Sequence, residues 1–275
     1  MNLSASPTFG TQLRGWRQRR RLSQLDLAVD AEVSTRHLSF VETGRAMPSR
    51  EMVLRLANRL EVPLRERNVL LTAAGFAPMY AERQLDDPAL RVAREAVEQI
   101  LKAHEPYPAL AVDRHWNMVS HNVAAVPFFS LGIAPALLVP PVNVLRVSLH
   151  PQGLAPFIVN LAQWREHLLE RVQHQVTISA DATLAALLVE LTAYPAPAQN
   201  DAHAEAHPPI AANAIVVPLI LDTPMGRLSL ISTMTVFGTP MEVTLSELAL
   251  ETFFPADAQT AAALRGMAEA ASAAS

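Results

Sequence analysis

The sequence predicts two parts of different class: an all-α head of five short helices, then an α+β body built around an antiparallel sheet. Three observations point there. The first 75 residues hold five apolar-periodic segments, four of them opened by a hydroxyl capping residue and the fifth by a proline. From Ala109 onward, short apolar and β-branched runs alternate with turn signals, spaced for antiparallel pairing. Charge divides along the same line. Residues 1–83 carry thirteen arginines, no lysine and eight acids, a net +5, while the remainder carries nine bases and eighteen acids, a net −9. That asymmetry suits a polyanion-binding head on an acidic body. At 275 residues and 50% hydrophobic, the chain is long and apolar enough for both parts to have cores of their own.

The first helix is expected from Thr8 to Arg20, with Phe9, Leu13 and Trp16 inward. Its Arg17, Arg19, Arg20 and Arg21 form the densest basic cluster in the chain, which suits either a solvated face or phosphate contact. Ser23 caps a second helix over Gln24–Asp30, with Leu25, Leu27 and Ala28 on its apolar face. The turn Ala31-Glu32-Val33 follows, Val33 pinning the corner and Ala28 allowing close crossing. Ser34 opens a third helix with Leu38 and Val41 inward and Gly44 as its stop. Two short helices across a tight turn describe a helix-turn-helix. The second presents Ser34, Thr35, Arg36 and Ser39 at its N-terminal end, the end that enters the DNA major groove in such motifs. A fourth helix is expected over Ser49–Leu60 (Met52, Leu56, Ala57 and Leu60 inward), with Arg50 beside an N-terminus that can receive a phosphate. A fifth follows Pro63, using Leu64, Val69, Leu70 and Leu71, and stops at Gly75.

Residues Phe9 to Gly75 resemble the XRE family of DNA-binding domains, the Cro and phage-repressor type. The likeness is carried by Ser23-Gln24, by the Ser34–Gly44 helix ending in Glu42-Thr43-Gly44, and by the Arg45–Arg50 connection. It implies a lambda-repressor-like five-helix fold acting on double-stranded DNA as a homodimer. Ser34, Thr35, Arg36 and Ser39 would meet base edges, and Gln24, Thr43, Arg45 and Arg50 would hold the backbone.

From Phe76 to Asp87 the periodicity breaks, which marks a joint. Asp87 then caps a helix with Pro88 at its first position and Leu90, Ala93, Val97, Ile100, Leu101 and His104 on one face. Ala109–Val112 and Trp116–Ser120 read as a strand pair around Asp113-Arg114-His115. Asn122 caps a short helix bearing Val126, Phe128 and Phe129. Further helices are expected over Ile158–Arg171 and, capped by Asp181, Thr183–Leu191, with a loop at Pro195–Pro209. Strands follow at Ala214–Leu221, Arg227–Gly238 and Glu242–Phe254, then an alanine-rich terminal helix.

This order resembles the ligand-binding domain of MmyB-like transcription regulators, a PAS-like fold. The residues in common are Asp113-Arg114-His115-Trp116-Asn117 with Asn122, Asn143–Arg146 with His150-Pro151, Trp164–Leu169, and Glu251–Asp257. The resemblance implies a small apolar ligand, fatty-acid-like in chemistry. The candidate pocket residues are Trp116, Asn122, Phe128, Phe129, Arg146, His150, Trp164 and Phe237, with Arg146 available to a carboxylate. The expected domains are 1–76 for DNA, 77–87 as linker, 88–260 for ligand, and an alanine-rich tail at 261–275. A body that only dimerises or docks a protein is the alternative.

Other chemistry finds little footing. There is no cysteine, hence no disulfide or thiolate site. No G-x-S-x-G, Walker, G-x-G-x-x-G or H-E-x-x-H signature occurs, so no enzyme, cofactor or metal is expected. His203 and His207 have metal-ligand spacing but sit in a proline-rich stretch. No apolar run reaches membrane-spanning length and Met1–Thr8 lacks a signal core, so the expected location is cytoplasmic.

Overall fold

The computed structural model describes residues 7–195 and 216–273. The chain forms two compact units. The first is Met1–Gln84 with Thr177–Ser179 and Thr239–Ser246; the second is Leu85–Val176, Ala180–Gly238 and Glu247–Ser275.

The head contains α1 (Phe9–Arg19), α2 (Gln24–Asp30), α3 (Thr35–Glu42), α4 (Arg50–Arg59) and α5 (Leu64–Ala73). Thr8, Ser23, Ser34 and Ser49 each accept a backbone N–H three residues on, and Asp26 reciprocates to Ser23 in a capping box. The five C-termini share one device. Arg21, Glu32, Gly44, Glu61 and Gly75 lie in the left-handed region. The residue after each donates to the carbonyl five positions back: Leu22 to Arg17, Val33 to Ala28, Arg45 to Phe40, Val62 to Ala57, Phe76 to Leu71. These are Schellman stops, and only two of the five use the glycine that suits them. Short helices with sharp ends are stable here through their shared core, in which Leu13, Leu27, Leu38, Leu56, Leu60 and Leu71 are fully buried.

Three expectations change. Leu25 is 61% exposed, because the seven-residue α2 buries only the Leu27–Ala28 stripe. Val33 is half-buried and Ala31 is the buried residue at the corner. Val69 lies outward on α5, beside the buried Leu70 and Leu71. At Gly10 two helices cross closely. A Cβ there would lie 2.4 Å from the Glu42 carbonyl oxygen and 2.6 Å from that of Val41, so α1 meets α3 backbone to backbone.

In the second unit a 3-10 turn at Pro88–Leu90, with Asp87 accepting the Ala89 N–H, leads into α6 (Arg91–Ala103). Then come β1 (Ala109–Val112), β2 (Met118–His121), α7 (Val126–Phe129), α8 (Val144–Leu149), α9 (Leu161–Ser179), α10 (Ala182–Ala193), β3 (Leu219–Thr223) and β4 (Gly226–Val236). After α11 (Val243–Ser246, which belongs to the first unit) come β5 (Ala249–Pro255) and α12 (Ala258–Ala273). The sheet is antiparallel throughout, in the order β2-β1-β5-β4-β3, which gives the expected α+β body. Its two faces separate by strand alternation. Leu110 and Val112 of β1 join the cluster of Trp164, Leu168 and Leu187, whereas Ala109 and Ala111 meet Val97 and Leu101 of α6. Ile100, expected inward, is 43% exposed, since Val97 and Leu101 alone fill that contact.

Several boundaries move for local reasons. The return strand β2 starts at Met118 because Trp116 sits at φ +66°, in a turn where Asp113 accepts N–H bonds from His115 and Asn117. The Ile158 helix begins at Leu161, since Ile158 instead bridges Leu221, and it continues to Ser179. β3 begins after Pro218, which has no N–H to give a ladder. The last strand starts at Ala249, because Glu242 accepts the Leu245 N–H and turns the chain first. The expected tail belongs to α12: Leu264 is buried, and Thr260 accepts the Ser229 N–H. Most of the expected Pro195–Pro209 loop, His203 and His207 included, lies outside the described residues, as do Ala214 and Ile215. Among the described residues, no helix is long and apolar enough to cross a membrane.

Candidate nucleic-acid interface and ligand cavity

The third helix is clamped at its inner end. Glu42 Oε1 accepts from Arg17 Nε at 2.6 Å, and its Oε2 accepts from Arg17 Nη2 at 2.9 Å and Gln24 Nε2 at 2.8 Å. Arg17 Nη1 donates further to the Leu22 carbonyl at 2.9 Å, tying the end of α1 into the same knot. Burial pushes the Glu42 carboxyl up, but the bonds from Arg17 and Gln24 outweigh it and hold the group below the ordinary carboxylate range. Arg17 is thus neither a solvated cation nor free for phosphate. Arg20 is likewise engaged, donating to the Leu60 and Glu61 carbonyls at the end of α4. Arg19 and Arg21 remain exposed.

The outer end of α3 is different. Ser34 is exposed; its oxygen accepts the His37 N–H, which leaves its own O–H to donate. Thr35 and Ser39 are half-buried. Arg36 is exposed, its guanidinium 5.4 Å from the Phe40 ring centroid. Arg45 and Arg50 are exposed, and among the described residues no acid pairs with either of them or with Arg36. Arg50 occupies the first position of α4, at an N-terminus suited to an anion. Two expected backbone contacts have other bonds. Gln24 spends one amide N–H on Glu42, and Thr43 donates its hydroxyl to the Ser39 carbonyl at 2.7 Å.

The second unit holds a cavity with about 90 Å³ of room for the centres of water-sized molecules. By the same measure one water needs about 10–15 Å³, so several atoms fit. Its wall is built from one face of the sheet and the helices over it: Leu110 from β1, Phe128 and Phe129 from α7, Leu145 and Ser148 from α8, Trp164 and Leu168 from α9, and Leu221, Leu230 and Phe253 from β3, β4 and β5. Among residues singled out from sequence, Phe128, Phe129 and Trp164 stand on the wall.

The other five do not. Trp116 is buried beside it, donating Nε1 to Gln175 at 2.7 Å with Arg171 stacked 4.7 Å from its ring centroid. Asn122 staples the end of α6 to β1: it accepts from Ala109 N and donates to the Leu101 and Tyr107 carbonyls. Arg146 is held in a two-bond pair with Glu190, at 2.8 and 2.7 Å. His150 meets the Tyr194 ring edge-on, and its Nδ1 accepts the Gln152 N–H. Phe237 packs with α6 on the opposite face of the sheet.

Among the described residues the wall has two polar members, neither of them marked as a pocket residue by the sequence. Ser148 accepts Trp164 Nε1 at 3.0 Å. Glu251 is 5% exposed on β5, its Oε1 accepting Arg171 Nη1 at 3.1 Å. Burial drives its carboxyl above the ordinary range, although Arg171 and the Ser232 side chain pull the other way. The available signal was a single acid at an inward position in Ala249-Leu-Glu-Thr-Phe253, between two apolar neighbours of the same face.

Comparison with known families agrees with this division. Residues 8–70 match a helix-turn-helix domain, and residues 93–267 match the MmyB-like transcription regulator ligand binding domain. No curated relative matches the chain. The second match spans more than half of the sequence; the chain therefore belongs to the MmyB-like transcription regulators and, with its helix-turn-helix head, is a DNA-binding transcription regulator.

Proposed function

We propose that α3 reads duplex sequence and that occupancy of the body cavity by a small apolar molecule adjusts operator affinity. Residues 1–76 serve as the DNA-binding domain, 77–87 as the linker and 88–260 as the ligand domain. The observation that carries the reading is how the arginines are allotted. Arg17 and Arg20 are consumed inside the head, whereas Arg36, Arg45 and Arg50 are exposed and without an acid among the described residues. Unpaired guanidiniums around a capped recognition helix are what phosphates and guanine edges attract.

Two copies place their α3 helices in half-sites about one helical turn apart. Arg36, with Ser34, Thr35 and Ser39, addresses base edges. Arg45 and Arg50 hold phosphates, with lesser help from Gln24 and Thr43. A ligand changes DNA affinity only by binding two arrangements of the protein unequally. The protein acts in the cytoplasm, where the DNA is, and performs no catalytic step.

Binding of Arg36→Ala and Arg50→Ala to a selected operator and to random DNA, each across a salt series, tests the division of labour. Arg36→Ala is expected to lose about 1–3 kcal/mol on the operator alone. Arg50→Ala should weaken both DNAs alike and lower the salt slope by about 1. Equal losses on both DNAs for both variants would overturn it. If the body only dimerises, protein purified from cells should show no co-purifying small molecule by native mass spectrometry.

A further inference from the structure

The outward face of α3 carries an aromatic ring that the base and phosphate contacts assigned so far leave unused. We infer, resting on the reading of α3 given above, that Phe40 is a specificity residue. Braced against Arg36, its ring meets the C5-methyl of a thymine in the base pair next to the guanine that Arg36 reads.

Three observations combine. First, of the large apolar side chains on α3, Leu38 and Val41 are buried in the head and Phe40 is not. Helical spacing puts Phe40 one turn beyond Arg36 and Thr43 nearly one turn further, a stripe opposite the buried Leu38, Val41 and Glu42. Second, Arg36 Cζ lies 5.4 Å from the centre of the Phe40 ring. The ring face attracts the guanidinium and limits its freedom, so its donors are held ready for a base edge. Third, the backbone under the ring is fixed, because the Phe40 carbonyl accepts the N–H groups of Arg45 at 2.8 Å and Ala46 at 3.1 Å.

The chemistry of the groove then selects the base. A guanidinium that donates to guanine O6 and N7 lies in the plane of that base. Base pairs are stacked about 3.4 Å apart, so a ring centred 5.4 Å from the guanidinium carbon stands over the adjoining pair. The major-groove edges offer one apolar group, the thymine methyl. Their other groups are donors and acceptors, which a phenyl ring would strip of water without replacing a bond.

Sites are selected from a random duplex pool with the full-length protein, and each half-site is expected to hold a guanine with a thymine in the adjoining pair. Deoxyuridine then replaces that thymine, which removes the methyl and keeps every hydrogen-bonding group. The wild-type protein should lose about fourfold per half-site, the worth of one buried methyl group. Phe40→Ala should lose a similar factor on the thymine site and be indifferent to deoxyuridine. Arg36→Ala combined with Phe40→Ala should lose less than the product of the two single losses, because each side chain braces the other. Should Phe40→Ala fail to fold, Phe40→Gln keeps the bulk without an apolar ring and makes the same comparison. A selected site without thymine beside the guanine, a wild-type affinity unchanged by deoxyuridine, or a deoxyuridine penalty that survives in the Phe40 variant each overturns the inference and leaves α3 as the reader. Single losses that simply multiply overturn the bracing. No preferred site in the pool overturns both the inference and the reading of α3.

Discussion

Among the described residues, each unit has a buried glutamate that meets an arginine, Glu42 in the first and Glu251 in the second, and the two pairs have opposite characters. In the head, Arg17 meets Glu42 through two parallel bonds, Gln24 adds a third, and the Leu22 carbonyl takes a further N–H of the arginine. In the body, Arg171 reaches Glu251 by a single contact of 3.1 Å beside an apolar cavity. The carboxyl is accordingly held down in the first case and pushed up in the second. The same two residue types thus serve as a lock where three side-chain bonds outweigh burial and as part of a cavity wall where burial outweighs the bonds from Arg171 and Ser232.

The sharpest way to break the comparison is to remove each acid. Glu42→Ala strands the buried Arg17 and frees Gln24, and is expected to cost about 3–5 kcal/mol of head stability. Glu251→Gln should cost less than about 2 kcal/mol, because Arg171 is only half-buried and keeps its place over Trp116. Residue-resolved urea unfolding by NMR, followed at the Leu38 and Leu250 amides, reads the two units separately. Equal losses would show that partner count does not matter.

Acidity should split the units in opposite directions. Glu42, lowered in the folded state, contributes stability present above its unfolded pKa and lost as pH falls through the folded one. Glu251, raised in the folded state, contributes stability present below its unfolded pKa and lost as pH rises through the folded one. The urea midpoint at Leu38 is therefore expected to drop on acidification below the ordinary carboxylate range, with the midpoint at Leu250 declining on the way up from that range. Parallel curves would contradict the assignment.

The smallest effect concerns the head's helix ends. Glu32 is in the left-handed region at φ +55°, where a Cβ is unwelcome. Glu32→Gly should raise the head's midpoint by the equivalent of at most about 1 kcal/mol, since glycine's greater unfolded freedom offsets part of the relief. A loss would mean that the Glu32 side chain does more than end a helix.

What could be read from sequence followed locality. Caps at Thr8, Ser23, Ser34 and Ser49 are signalled within three residues, and the Leu27, Leu38 and Leu56 positions follow from periodicity. The glycine stops Gly44 and Gly75 were visible, but the same stops at Arg21, Glu32 and Glu61 carry no residue signal. Arg17 looked like its basic neighbours because its partner is 25 positions away. The candidate pocket was legible only in part. Aromatic residues on helices, Phe128 and Trp164, reached the wall, whereas Arg146 and Asn122 were drawn off by Glu190 and by the α6 carbonyl. Glu251 was harder: alternation with Ala249 and Phe253 marks the face it shares, but only pairing with Leu110 sets that face toward the cavity.

That pairing has a consequence for how the protein is made. The sheet's centre joins β1, laid down soon after the head, to β5, laid down almost last, with Leu110 opposite Glu251. The five head helices lie within the first 75 residues and are made first, while the body waits for β5 to join the β1–β2 and β3–β4 pairs. The head helices are therefore laid down long before the body's sheet can close, and any truncation ahead of Ala249 would leave that sheet without its central strand.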